Sequence, residues 1–283
     1  MQILPVLILS IVLIRIFRKV VIVEVPTPYS SHLKHEVISS GFFRNAYNYL
    51  NYLIFAPLAY ILPNRVIFYA YENGWFSKLL SDLKLYGNGT DVKAIKMKSS
   101  SNKINESLTL VGVATIARWH GWEKVLNAIS ELNTEGYRII FHLVGDGPDK
   151  NNLQNLAERL KIQDQVIFHG MLNSDQLENI YENSQLGVGT LDWNSIGVSE
   201  ASPLKYREYL SAGLPFFYDT FDPDFRETNQ VSFRVKGKQN EIKKLLKDIM
   251  KKNNLPTPSY CRTFAEEKLD FSVKNKIIFD EFI

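Results

Sequence analysis

Two carboxylates and a lysine lie close together in a short stretch of this chain. Seven residues separate Glu200 from Glu208, and Lys205 lies between them. A carboxylate accepts hydrogen bonds from a diol such as a ribose, and an ammonium group attracts a phosphate. Ser202 and Pro203 are residue types that start helices, so we expect a helix whose first amides favour an anion. These residues predict a binding site for a nucleotide that carries a sugar.

The predicted helix has a recognisable end and one polar face. Gly213 and Pro215 follow it, as a terminal glycine and a late proline commonly do. Lys205 and Glu208 are three residues apart and therefore share a face, whereas Glu200 precedes the cap and is expected in the loop before the helix. The simpler alternative is an amphipathic helix whose lysine and glutamate only face water.

The stretch SPLKYREYLSAGLPF and the spacing of the two acids resemble the donor site of GT4-type retaining glycosyltransferases. The stretch is similar to a branch that builds bacterial capsules and exopolysaccharides. The resemblance covers roughly residues 20–225 and implies an α/β protein of the GT-B fold, with two Rossmann-like domains. It implies sugar transfer from a UDP- or GDP-linked donor without a metal or other cofactor. The residues expected to act in catalysis are Lys205, Arg118 and Glu200, and those expected to bind the donor nearby are Glu208, Ser202, Pro203 and Leu204.

A second group of candidate residues follows the strand that ends near Val113. The loop Arg118-Trp119-His120-Gly121 resembles a Trp-His-Gly variant of a family loop. More typical members carry an arginine where this chain has Val113, so Arg118 is the candidate guanidinium for the diphosphate. The alternative is a surface arginine beside a buried tryptophan. His120 either forms hydrogen bonds with the backbone of this loop or acts on the donor as a general base.

Two further loops are expected beside the donor. The turn Gly145-Asp146-Gly147-Pro148 brings backbone close to it, although one Gly-x-Gly is weak evidence for a nucleotide. The segment from His169 to Leu172 resembles the family loop whose backbone reads the base. The expected donor contacts from these loops are Gly147, His169, Gly170 and Met171, with Asp192 and Trp193 beside the sugar.

The acceptor side is expected in the first part of the chain. The segment VIVEVPTPY resembles the VxxEIPTYPY segment of the family's acceptor domain. It makes Glu24 and Thr27 candidate acceptor groups, near His32, unless Glu24 only satisfies backbone amides. Relatives carry about two βα units before this strand, and their early glycine loop has no counterpart here. The expected first domain is therefore incomplete, and a non-catalytic donor-binding partner protein is the alternative function.

The pattern along the chain predicts four regions. Residues 1–97 form the partial acceptor-side domain, and the polar residues 98–107 form a flexible linker. From Leu108 to residue 255, strand and helix patterns alternate, which predicts a parallel sheet covered by helices on both faces, with ligands at the carboxyl ends of its strands. Residues 256–283 form a helical extension.

Two apolar segments raise the question of a membrane. Residues 3–14 are almost wholly apolar but shorter than the about 20 residues that cross a bilayer. They are either a buried helix or a membrane-inserted or interfacial segment. Arg15, Arg18 and Lys19 favour the cytoplasmic side for the chain after them. Residues 42–62 are a core helix or an aromatic membrane-facing one. We expect peripheral contact with the inner face of the plasma membrane and a lipid-linked oligosaccharide acceptor.

Composition excludes several classes of protein. The chain has 283 residues, 45% apolar and 22% charged, which is typical of a globular protein. A net charge of +3 is too small to indicate a nucleic-acid partner, and the single cysteine, Cys261, cannot form a disulfide within the chain. The α/β alternation also fits a nicotinamide-dependent dehydrogenase, but the GxGxxG fingerprint and its acidic partner are missing.

Overall fold

The computed structural model describes residues 4–25, 54–55, 57–72, 85–225 and 229–282. The chain divides into two compact units. The first comprises Met1–Gly87 with Ile196–Ser202, and the second comprises Asn88–Ser195 with Pro203–Ile283. The division at Gly87 and Asn88 therefore lies before the predicted linker.

The second unit contains a six-stranded parallel sheet with the order β10-β9-β7-β4-β5-β6. The chain builds one half outward from β4 to β6 and then returns to β7, on the other side of β4. A sheet of this kind has a crevice between β4 and β7, where ligands bind in doubly wound proteins. The six strands are β4 (Leu108–Val113), β5 (Ile139–Val144), β6 (Val166–Gly170), β7 (Leu186–Val188), β9 (Phe216–Tyr218) and β10 (Ser232–Arg234).

Helices cover this sheet on both faces, as the alternating pattern predicts. Leu110 and Val111 are adjacent in β4 and point to opposite faces, and each joins a different hydrophobic cluster. One cluster contains residues of α2, α3 and α6, and the other contains residues of α4, α5 and α7. These helices and the last one are α2 (Glu123–Thr134), α3 (Lys150–Arg159), α4 (Ser174–Asn183), α5 (Leu204–Ser211), α6 (Gln239–Lys252), α7 (Pro258–Lys268) and α8 (Phe271–Phe282).

Among its described residues, the first unit contains the helix α1 (Leu4–Ile16), helical residues at 54–55 and 57–61, and two small sheets. The helix α1 leads to β1 (Ile22–Val25), which pairs in parallel with β2 (Arg65–Phe68). After Tyr69, β3 (Ala70–Glu72) pairs antiparallel with β8 (Val198–Ala201). Residues 65–72 thus form two strands with different partners.

α1 is not the fully buried helix that one interpretation of its sequence predicts. Ile8 and Ile11 pack into the core of the first unit, whereas Leu9 and Leu13 are 60% and 49% exposed. Within the described ranges, no helix is both long enough and apolar enough to span a bilayer. Thr27, His32 and most of the aromatic segment 42–62 lie outside the described residues.

Residues 98–107 are not the flexible linker that their polar composition predicts. The Lys98 amine is buried and donates to the Asn102 side chain at 3.1 Å, and Asn102 donates to the carbonyl oxygens of Gly213 and Pro256. The Glu182 carboxylate accepts from the backbone nitrogen of Ser99 at 2.9 Å. The polar side chains satisfy specific partners, so this segment is part of the second unit.

Candidate functional site

The hydroxyl of Tyr209 marks the crevice between β4 and β7. It accepts a hydrogen bond from the nitrogen of Val113 at 3.0 Å and donates to the carbonyl oxygen of Val188 at 3.2 Å. Val113 and Val188 are the last residues of β4 and β7. Tyr209 is fully buried on α5, so this helix is fixed directly against the point where the strand order reverses.

α5 begins one residue later than the sequence predicts. Leu204 is its first residue, and Pro203, rather than Ser202, holds the cap position without a side-chain hydrogen bond. The reason is that the Ser202 nitrogen donates to the carbonyl oxygen of Tyr69 at 2.8 Å, which keeps Ser202 in line with β8. The end agrees with the prediction, since Gly213 has φ +87° directly after the last turn.

Glu200 lies in a strand and not in a loop. It belongs to β8, where it is paired with Tyr71 of β3 in the first unit. Lys205 and Glu208 belong to the second unit. The structure thus keeps Lys205 and Glu208 on one helix and assigns Glu200 to the pairing of β3 with β8.

Among the predicted site residues, Lys205 has an environment that is uncommon for a lysine. Its amine nitrogen is buried, has no hydrogen-bond partner among the described residues, and lies 5.5 Å from the centre of the Trp122 ring. Burial lowers the pKa of this amine to about 7, and the Glu208 carboxylate opposes that change only in part. A lysine that faced water would keep its ordinary pKa, so the alternative of a solvated helix face is wrong for Lys205.

Glu208 is half-buried on the same helix, three residues after Lys205. Burial raises the pKa of its carboxyl group, and the charge of Lys205 opposes this. The two groups influence each other's protonation, which agrees with the shared face expected from their spacing.

His120 is a neutral, backbone-bonded residue. Its Nδ1 lies 3.1 Å from the carbonyl oxygen of Ala117, and its ring contacts those of Trp119 and Trp122. Burial and the Lys205 charge hold the pKa of His120 well below its usual range. At neutral pH the imidazole beside Lys205 is therefore uncharged.

Arg118 lies at the surface, in the short turn Arg118–His120. It lines a cleft of about 750 Å³ between α2 and α3, together with polar residues such as Asp149 and Asn152. Lys205 and Glu208 do not line this cleft. Arg118 thus lies beside the cleft between α2 and α3, and its contact with a diphosphate stays a prediction.

Close backbone contacts account for the two glycine-containing loops. A Cβ atom on Gly147 would lie 2.3 Å from the carbonyl oxygen of Ile116, so only glycine fits there. The carbonyl oxygen of Gly170 accepts from the Gly145 nitrogen at 2.7 Å. His169 lies 2.8 Å from Nδ1 of His142, and Met171 is exposed.

The residues predicted beside the sugar differ in their surroundings. Asp192 pairs with Lys124 at 3.3 Å. Trp193 begins a short turn, and its indole nitrogen is buried. In the first unit, the Glu24 carboxylate accepts a hydrogen bond from Tyr69, and burial together with Glu24 raises the pKa of that tyrosine to about 12.

Sequence reasoning missed Trp122, which lies beside the Lys205 amine, and the two tyrosines of α5 that bind the ends of the strands. Trp122 donates from its indole nitrogen to the carbonyl oxygen of Gly189 at 3.0 Å, directly after β7. The Tyr206 hydroxyl accepts from the nitrogen of Thr190 at 3.2 Å. Tyr206 and Tyr209 are three apart on α5, so helical spacing would have indicated that both face the sheet. Among the described residues, no group of three metal-binding side chains comes together.

Comparison with known proteins gives partial matches of sequence. Alpha-monoglucosyldiacylglycerol synthase of Streptococcus pneumoniae is 28% identical over 128 residues, which cover 44% of this chain and 28% of that protein. Protein CapJ of Staphylococcus aureus is 29% identical over 140 residues, which cover 47% of this chain and 35% of that protein. These matches span about a third of each relative's length.

Solved structures match more of the chain. HepE of Anabaena, crystallised with UDP, has a TM-score of 0.64 at 16% identity, over 97% of this chain and 75% of its own. The lipopolysaccharide outer core galactosyltransferase WaaB has a TM-score of 0.59 at 13% identity, over 79% and 64%. These neighbours and the six-stranded parallel sheet confirm the GT-B fold class. Residues 94–267, which hold the whole of α5 and the crevice beside it, match the glycosyl transferases group 1 family, and the chain belongs to that family.

Proposed function

We propose that the chain transfers a sugar from a nucleoside-diphosphate donor to a saccharide acceptor, with retention of configuration. The diphosphate of the donor binds at the start of α5, beside Lys205, and the ribose binds Glu208. HepE, which shares the fold, binds UDP and, in a second structure, UDP-glucose. Those complexes support a uridine nucleotide as the first donor to test.

The observation that carries this proposal is the buried amine of Lys205. A buried polar group without a partner costs free energy, and a buried charge costs more. The lowered pKa reduces this cost by making the amine neutral part of the time. A diphosphate would supply both the hydrogen bonds and the negative charge that the site does not otherwise provide. Binding would then raise the pKa of the amine and draw a proton onto it.

The same amine suits the proposed transfer step. As the bond between the sugar and the diphosphate breaks, negative charge grows on the departing phosphate oxygens. A fixed cation in a water-poor site stabilises such charge strongly, by about 3–4 kcal/mol for one donor group. In the proposal, Lys205 supplies this cation, the first turn of α5 adds its positive end, and Glu200 and Arg118 contact the sugar and the diphosphate. The backbone of the loop at Gly147 and of the loop at Gly170 and Met171 completes the donor-binding site. His120 and His169 lie beside it.

We further propose a lipid-linked oligosaccharide acceptor and contact with the inner face of the plasma membrane. The support is the exposed apolar surface of α1 and of Phe17 directly after it. Leu9, Leu13, Ile16 and Phe17 are exposed close to the cations Arg18 and Lys19. An apolar surface beside basic residues is typical of helices that bind anionic lipid. Glu24 and Thr27 are the proposed acceptor-side groups.

Calorimetry with UDP tests the donor site. At pH 8 the Lys205 amine is mostly neutral, so UDP binding should take up close to one proton. Titrations in HEPES and in Tris, whose ionisation enthalpies differ, measure this number. Lys205→Arg should bind UDP with no uptake, because its guanidinium is always charged. Lys205→Ala should bind about 10–100-fold more weakly, as expected for the loss of one charged hydrogen-bond donor.

The control is Lys251→Ala, which removes an exposed lysine from the last turn of α6. It should bind UDP as the wild type does. Equal affinity for the wild type and Lys205→Ala would show that the diphosphate does not bind here. A turnover assay with UDP-glucose then separates an enzyme from the alternative, a partner protein that binds the donor without transferring the sugar.

A further inference from the structure

Arg207 lies on the side of α5 that faces away from Lys205. The two residues are two positions apart, which is a little over half a helical turn, and Arg207 is fully buried. α5 thus has one face with the candidate site groups Lys205 and Glu208 and another face with a buried cation. A cation in this position costs free energy unless it is fully paired.

All five N–H donors of the Arg207 guanidinium have an acceptor. Nη1 and Nη2 bind the two oxygens of Asp222 at 2.5 and 2.8 Å, and Nη2 also binds Asp224. Nε donates to the carbonyl oxygen of Asn88 at 3.1 Å, and Nη1 donates to that of Pro203 at 3.3 Å. Burial alone would lower the pKa of Arg207, but the two aspartates outweigh it and raise the pKa. The guanidinium is therefore charged and held in one position.

The contact with Pro203 links this network to the start of α5. Pro203 is the cap residue, and the helix begins directly after it. The Arg207 side chain reaches back one turn and binds that residue's carbonyl oxygen, while Asp222 holds the guanidinium from outside the helix. Asp222 and Asp224 therefore fix where the first turn of α5 lies along the helix axis. They also fix the position of Lys205, which belongs to that turn.

The network continues into the last helix of the chain. Lys274 of α8 is buried, and its amine donates to the other oxygen of Asp224. The same helix begins where the Phe271 nitrogen donates to the carbonyl oxygen of Thr90 at 3.0 Å, close to Asn88. α8 lies beyond residues 94–267, the part that matches the family. A segment outside the family match therefore reaches α5 through the partly buried carboxylate of Asp224.

We propose that Arg207, Asp222, Asp224 and Lys274 form a positioning network through which α8 holds Lys205 and Glu208 in place for the donor. Arg207 and Lys274 are positioning residues that do not touch the donor. The inference rests on the proposed function for the identity of the ligand, but its geometry does not depend on it.

A purely stabilising role would not require these charges. Well-packed apolar side chains of similar volume often stabilise a core as much as a buried ion pair does. Paired charges with fixed directions, by contrast, specify one arrangement of the groups that they join. Every N–H donor of the Arg207 guanidinium is used, so the network favours a role in positioning over a purely stabilising one.

The test compares two lysine-to-methionine variants. Lys274→Met removes the bond from α8 to Asp224, and Lys247→Met removes the bond from a surface lysine of α6 to Glu135 as the control. Both are measured well below their unfolding temperatures, with circular dichroism confirming the fold. Lys274→Met should weaken UDP binding about tenfold, a change equivalent to one partly lost charged contact. Lys247→Met should bind UDP as the wild type does.

A second measurement needs no nucleotide. The ¹³Cε shift of Lys205, followed by NMR over pH, gives the pKa of its amine beside Glu208, His120 and Trp122. In Lys274→Met this pKa should move from about 7 toward the ordinary value of 10.5, because a displaced Lys205 regains water. In Lys247→Met it should not move. If Lys274→Met does not fold, Asp224→Asn is measured against the same control.

The outcomes distinguish the two proposals. An unchanged Lys205 titration and unchanged UDP affinity in folded Lys274→Met or Asp224→Asn would overturn the positioning network. Wild-type protein that does not bind UDP or GDP would overturn the proposed function, and the titration alone would then decide on the network.

Discussion

The amine nitrogen of Lys205 lies 5.5 Å from the centre of the Trp122 ring. Trp122 is itself fixed, because its indole nitrogen donates to the carbonyl oxygen of Gly189. The face of an aromatic ring attracts a cation, but it offers no acceptor as strong as an oxygen. Lys205 is therefore held at the carboxyl ends of β4 and β7 by a contact that leaves its hydrogen-bonding capacity to a ligand.

The lowered pKa of Lys205 makes stability depend on pH in a defined direction. Its folded-state pKa is about 7 and its unfolded value is 10.5. Between these values the unfolded chain keeps the proton that the folded chain has released, so stability rises with pH. The slope is at most about 1.4 kcal/mol per pH unit. Lys205→Met should lack this rise, as urea unfolding of both proteins at pH 7, 8 and 9 would show. Parallel curves would contradict the buried position of the amine.

Glu208→Gln should weaken binding of the ribose rather than of the diphosphate. The carboxylate accepts two hydroxyl bonds with a full charge, whereas an amide oxygen is neutral, so we expect UDP affinity to fall about tenfold. Affinity for 2′,3′-dideoxy-UDP, which lacks both hydroxyls, should be the same in the wild type and in Glu208→Gln. Calorimetry with the two nucleotides checks this. An equal loss for both ligands would assign Glu208 to another part of the site.

Tyr209→Phe should destabilise the second unit without opening a large cavity. It removes the hydroxyl that joins Val113 and Val188, leaving a buried nitrogen and a buried carbonyl oxygen without this partner. We expect a loss of about 1–3 kcal/mol in the free energy of unfolding. Tyr260→Phe is the matched control, since Tyr260 is half exposed. Similar stabilities of the two variants in urea would mean that the bridge contributes little.

Liposomes test the proposed membrane contact of α1. The protein should sediment with vesicles of phosphatidylglycerol and much less with those of phosphatidylcholine, because the cations Arg18 and Lys19 favour an anionic surface. The double variant Leu13→Ser/Phe17→Ser should sediment several-fold less, since it removes exposed apolar area. Ile277→Ser, at an exposed position of α8, is the control. Sedimentation that is insensitive to the α1 variant would remove the support for this contact.

The sequence was most informative where neighbours along the chain decide the structure. Alternation from Leu108 onward predicts the parallel sheet, and Gly213 predicts the end of α5, because both depend on local patterns. The one-residue error at the start of α5 has a distant cause. Ser202 has the right chemistry for a cap, but the Tyr69 carbonyl oxygen binds its backbone first. Local propensity yields to a partner far away in sequence.

In the candidate site, too, local sequence patterns predict some features and contacts distant in sequence decide the others. The spacing of Lys205 and Glu208 indicates a shared face, but no local pattern places Trp122 against Lys205 or buries the amine. Arg118 was expected at the diphosphate from a family resemblance, and only the structure shows that it lines a cleft between α2 and α3. The polar residues at 98–107 suggest flexibility only while their partners, such as Glu182 and Gly213, are unknown.

The hydrogen bonds of Lys98 and Asn102 decide how the second unit could be produced by itself. A recombinant fragment that began at Leu108 would leave the carbonyl oxygens of Gly213 and Pro256 without the Asn102 amide. It would also remove the buried Lys98 side chain, which binds the carbonyl oxygen of Ser184. Cloning from Asn88 keeps both side chains and the Asn88 carbonyl oxygen that Arg207 requires.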